Sequence, residues 1–254
     1  VYTYTGTAWR RYELSWSHPT DPFRAYSELY AVHAVSDRDV WVGGQAGYVG
    51  HFNGSSWTDR TAAAPWPQGI WGAASNDIWV FYDSGLLYHW DGSELEYRET
   101  APVAFNGAWG RGPSELGGYG HADDDSTAPV AYSWDGASFQ LDELPGPGEV
   151  TSLWTAPGGE QWAVIWNGYG TGTLLRRRDA SWTEVTLPGR QVPNAVWGSA
   201  ADDLWVVGHD GTISHFDGSG WEASDSGTTT DLDFIDGNGG AIWIAGPGVA
   251  LTSR

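Results

Sequence analysis

Apolar and polar positions alternate over short runs in this chain, and no stretch keeps the 3.6-residue spacing of a helix. The clearest unit is NAVWGSAADDLWVVGHDGTISHFDGSGW, from Asn194 to Trp221. It predicts an apolar, aromatic strand at 195–198, a polar turn at 199–203 and a second apolar strand at 204–207. A turn at 208–211 leads into 212–216, which alternates as a half-buried strand does. Asp217-Gly218 then closes a hairpin into Trp221, because this pair tolerates the positive φ that tight hairpins need. A fourth strand after the hairpin completes one antiparallel sheet.

The same pattern recurs at 31–57 and 69–92, at 107–139 with an insertion, and at 152–182. A last copy from Asp231 stops early at AIWIAGPGVALTSR, and the opening VYTYTGTAWRRYEL supplies the hairpin and outer strand it lacks. A period of about 40 residues with four strands per unit is the signature of a β-propeller. The predicted fold is therefore all-β: a six-bladed β-propeller of four-stranded antiparallel blades, closed by N-terminal strands completing the C-terminal blade. The blades are expected at 29–65, 67–102, 104–147, 149–190, 192–230, and 231–254 plus 1–15, in a single domain spanning 1–254. Joining both chain ends in one blade would remove an exposed sheet edge.

A turn running from Ser to Asp-[LIV]-W, seen at Ser75 to Trp79, Ser36 to Trp41 and Ser199 to Trp205, and the D-G-x-x-W hairpin from Asp217 to Trp221 carry a resemblance. At this level the chain resembles secreted bacterial propellers, including Asp-box-type repeats and propeller lectins. The resemblance implies the fold; Asp and Gly are adjacent in this hairpin, so it implies no sialidase-like chemistry.

Composition narrows the functional classes. The formal charge is −20, from 12 basic and 32 acidic residues, and every basic side chain is arginine. Such a surface repels nucleic acid and anionic lipid, whose binding depends on cationic side chains neutralising phosphates. No apolar run approaches 18 residues, so no membrane-inserting helix is expected. Cysteine is absent, which excludes disulfides and thiol chemistry. A first residue other than Met is expected to reflect processing, and a removed signal peptide fits a secreted, cell-surface or periplasmic location.

Repetition explains most of the 18 tryptophans as packing between blades. First-strand equivalents are His33, Trp71, Trp109, Trp154, Trp197 and Ile235; second-strand equivalents are Trp41, Trp79, Trp162, Trp205 and Trp243. Trp16, Trp66 and Trp166 fall in connections outside that register. Those connections emerge on one face of a four-stranded meander, where loops on a rigid scaffold concentrate function. With Tyr169, Asn167 and Asp210 nearby in the repeat, they form the candidate ligand site: indoles for sugar stacking, polar groups for hydroxyls.

The histidines divide into two groups. His51, His89 and His215 share one repeated third-strand position and are expected to be structural, with Arg177 and Ser133 as counterparts. His18, His33, His121 and His209 are irregular, and with Asp123 or Asp210 their imidazoles suit a divalent transition metal. The run Asp123 to Asp125 lacks the alternation of a calcium loop. Three readings follow: a lectin-like carbohydrate-binding propeller taking a glycan or other small molecule, a metal-dependent enzyme at the channel mouth, and a scaffold for a protein partner.

Overall fold

The structure is a computed structural model that describes residues 2–4, 9–11, 28–62, 64–124, 128–168, 170–179, 181–237 and 241–252, with side chains from residue 28 onward except at 190. Five four-stranded antiparallel meanders and one three-stranded sheet follow one another along the chain. The inner strands are Leu29–Ser36, Pro67–Ala74, Val103–Gly112, Glu149–Thr155, Pro193–Ala200 and Phe234–Gly237. Consecutive inner strands pack against one another from the first sheet to the sixth, which arranges the sheets as the blades of a propeller. No helix among the described residues is long and apolar enough to cross a membrane.

Each apolar core lies between two blades. Trp41 and Val49 of blade 1 pack with Ile70, Ile78 and Val80 of blade 2, and equivalent clusters fill the next four seams. Faces of neighbouring sheets thus supply each other's apolar partner, which explains strands that are apolar on both sides. The hairpin turns follow from the sequence as expected. Asp217 accepts hydrogen bonds from the Ser219 and Gly220 amides, and Gly218 takes φ +89. Asn53, Asp91 and Asp135 repeat the arrangement.

Six blades are present, as the sequence predicts. The last sheet has three strands, Phe234–Gly237, Ile242–Gly246 and Val249–Thr252. The N-terminal strands Tyr2–Tyr4 and Trp9–Arg11 pair with each other and with no other described strand. At the seam between blades 1 and 6, His33 and Asp236 lie within electrostatic reach of each other. Val32 and Phe234 there remain 67% and 69% exposed, unlike the packed inner strands of the other seams.

Candidate functional site on the strand-entry face

Strand register defines two rings of side chains. The first is set by pairing with the second strand, where His33 lies opposite Trp41, Trp71 opposite Trp79, Trp109 opposite Gly117, Trp154 opposite Trp162, Trp197 opposite Trp205 and Asp236 opposite Trp243. Asp236, not Ile235, is thus the sixth member; it stands seven residues before its partner, against eight in the other blades, which hid this register. The indoles reach across seams, Trp71 to Gly110, Trp154 to Gly198 and Trp197 to Gly237, and His33 Nε2 bonds the Gly72 carbonyl at 3.0 Å. Burial pushes the His33 imidazole pKa down and the Asp236 carboxyl up, and the opposite charges partly offset both shifts.

The second ring lies on the face where inner strands begin and second strands end. Counting four residues on from each second-strand position gives Gln45, Asp83, His121, Trp166, His209 and Pro247. Counting five back from each inner-strand position gives Glu28, Trp66, Ala104, Glu149, Val192 and Asp231. Trp66 and Trp166 therefore do not stand outside the repeat. They occupy rim positions that recur in every blade and that other blades fill with small, polar or charged residues. The sequence places Trp166 in the loop after the second strand, but it is the last residue of that strand, Gln161–Trp166, opposite Glu149; Trp66 lies in the connection before Pro67–Ala74, as expected. The two indoles do share this face, 46% and 40% exposed, but on blades 2 and 4.

Across the seams, rim residues of adjacent blades meet. His121 Nδ1 lies 3.5 Å from Glu149 Oε2, and His209 Nδ1 lies 4.0 Å from Asp231 Oδ2. The Asp210 amide donates to Asp231 Oδ1 at 2.9 Å, with Asp210 held at φ +54. At the blade 3–4 seam, Asn106 Nδ2 donates to Glu149 Oε2 at 2.8 Å and to the Val150 carbonyl at 3.2 Å. His121 Nδ1 is buried there with no hydrogen-bond partner. A cleft of about 280 Å³ opens above these groups, lined by His121, Gly148, Glu149, Trp166, Asn167 and Gly168. The Asn167 side chain turns onto the Thr171 hydroxyl and closes its own loop. In blade 2, desolvation raises the Asp83 carboxyl pKa, partly offset by the Ser84 amide, and Asp83 Oδ1 is buried without a partner.

Of the sequence candidates, the structure brings together His121, Trp166 and Asn167. Trp66, Asp210 and His209 share their face on other blades, while His33 sits in the inner-strand ring. Trp16, His18 and Tyr169 lie outside the described residues. The histidines proposed as one metal site are held apart: His33 bonds a backbone carbonyl, and His121 and His209 face carboxylates at different seams. Among the described residues no group of three or more His, Cys, Asp or Glu side chains is placed to hold an ion. Glu149, Asn106 and Asp231 are site residues that sequence reasoning missed. Fixed offsets from the inner-strand aromatic, three back for Asn106 and five for Glu149, would have found them.

The repeated third-strand histidines are structural, as expected, though they bind carboxylates instead of turns. His51, His89 and His215 each bond an aspartate, Asp39, Asp77 and Asp203, at 2.9, 2.8 and 2.7 Å. Asp39 and Asp203 also accept from the indoles of Trp41 and Trp205, on which His51 and His215 stack. In blade 4 the counterpart opposite Trp162 is Arg176, not Arg177, and it bonds Glu160 while lying over the indole. Arg177 and Arg178 pair with Asp142 and Glu160, so the basic run is neutralised by neighbouring carboxylates.

No protein-family model matches the chain, and no curated protein matches it in sequence. Similar solved structures include one titled "YCF48 bound to D1 peptide", with a TM-score of 0.75 at 14% identity over 97% of this chain and 83% of that one. YCF48 from Cyanidioschyzon merolae gives 0.64 at 12% identity, covering 87% of this chain and 80% of that one. The RRP9 WD40 repeats give 0.64 at 13%, covering 87% and 74%. The likeness is one of fold: the chain is a β-propeller.

Proposed function

We propose that this chain is a protein-binding propeller that receives an extended segment of a partner across the face where its inner strands begin. The observation that carries the reading is the rim itself: one repeated position holds Glu28, Trp66, Ala104, Glu149, Val192 and Asp231 in turn. A ligand with six equivalent contacts would meet equal residues there. A peptide uses unequal positions along its length, and an exposed indole beside a cleft is a natural anchor for one. The similar propeller titled as bound to D1 peptide supports the reading through fold. Selection of displayed random peptides against the whole chain tests it. Peptides sharing a motif, whose binding is lost in Trp166→Ala but kept in Glu184→Ala on an outer strand, are expected. Failure to enrich any motif, or binding indifferent to Trp166, would overturn it.

The exposed indoles of Trp66 and Trp166 favour a second reading, a carbohydrate ligand stacked on the same face. A glycan array answered by a fluorescence change that Trp166→Ala removes is the outcome expected of that reading. An array with no binder would sink it.

A further inference from the structure

We propose that the cleft between blades 3 and 4 is a pocket for a cationic side chain, a guanidinium or an alkylammonium, carried by the partner segment. The inference rests on the protein-binding reading for the partner, but on the cleft alone for its chemistry. Glu149 presents a carboxylate at the cleft, fixed from one side by Asn106 through Oε2. At the outer part of the same seam Asp142 is paired with Arg177, whereas no arginine is among the described residues that line this cleft. Among the described residues that line the cleft, the ionisable neighbour of this carboxylate is His121, whose Nδ1 lies at 3.5 Å without a formed hydrogen bond. Trp166 stands beside the carboxylate with a large part of its indole open to solvent.

A carboxylate next to an exposed indole is complementary to a planar cation, which hydrogen-bonds the oxygens and stacks on the ring. Gly148 and Gly168 border the same space with φ +115 and +74 and add no side chain of their own to it. The whole-molecule charge of −20 adds a field that draws cations and repels anions. An anionic or neutral partner residue gains nothing from this arrangement.

The test uses blocked amino-acid amides of arginine, lysine and glutamine, titrated into the intact protein while the indole N–H signal of Trp166 is followed by NMR. Trp166→Phe assigns that signal. The arginine amide is expected to shift it saturably, with at least about tenfold weaker binding for the neutral glutamine probe. Glu149→Gln keeps an oxygen for Asn106 and should weaken arginine binding by about tenfold or more, with an unchanged melting temperature. Arginine and glutamine amides that bind alike, no saturable shift, or a folded Glu149→Gln protein that binds arginine as tightly as the parent would each overturn the proposal. The two readings fail separately. Displayed peptides that need Trp166 but show no Arg or Lys and ignore Glu149→Gln would overturn only the cation pocket. Saturable arginine binding with no selectable peptide would overturn only the protein-binding reading.

Discussion

At the scale of single residues, the second-strand tryptophans are held by hydrogen-bonded carboxylates. Asp39 accepts from both Trp41 and His51, and its side chain is only 13% exposed, whereas the equivalent Asp203 is 41% exposed. Truncation strands Trp41 and His51 in blade 1, and Ser199, Trp205 and His215 in blade 5, but water reaches those of blade 5 more readily. Asp39→Ala is expected to cost about 1–3 kcal/mol, and Asp203→Ala less, in urea denaturation. The hairpin aspartates predict a pH effect. Hydrogen bonds from Ser219 and the Gly220 amide hold the Asp217 carboxyl down at about 2. Its contribution is therefore present above the unfolded value of about 3.9 and lost as pH falls toward the folded one. Asp217→Ala should melt below the parent at pH 6, with the gap narrowing from pH 4 to pH 2. Asp217→Asn, which copies Asn53 of blade 1, should preserve the turn at all pH values.

At the scale of the strand and sheet, close approach between inner strands decides which positions tolerate a side chain. A Cβ on Gly69 would lie 2.6 Å from the Ala108 amide nitrogen in the next blade. Backbone cannot swing aside as a flexible side chain does, so Gly69→Ala is expected to cost about 1–3 kcal/mol by forcing blades 2 and 3 apart. Gly112→Ala, with nothing within 4 Å of the added atom, is the matched control and should be close to neutral in the same melts. Much of the element structure is legible in the residues: the N-G and D-G hairpins, the aromatic inner strands and the apolar second strands all lie where alternation and turn chemistry put them. Register was less legible. Ile235 for Asp236 and Arg177 for Arg176 are both slips of one residue, because bulges and unequal turns change the count without leaving a local mark.

At the scale of the molecule, the seam between blades 1 and 6 is the odd one. Among the described residues, five seams are filled by clusters of buried side chains, while Val32 and Phe234 stand exposed on the inner strands of the sixth. Few buried apolar contacts mean a low free energy of local opening. Amide hydrogen exchange should therefore find the inner strands Leu29–Ser36 and Phe234–Gly237 exchanging faster than Val103–Gly112 and Glu149–Thr155. Equal protection around all six inner strands would show that the seam is as firmly closed as the rest.

The repeat made the architecture readable from the chain alone, since each blade needs the same alternation, the same turn residues and the same aromatic filling. It also told apart the structural histidines at one recurring position from the irregular ones. The candidate site was only half visible. Exposed indoles and histidines were nameable one by one, but His121 meets Glu149 across a boundary between sheets, 28 residues apart in sequence. Such a contact depends on how two twisted sheets stack, and packing between blades is a property of their faces and bulges together. Local pattern specifies the strand; only the assembled ring decides which rim residues become neighbours.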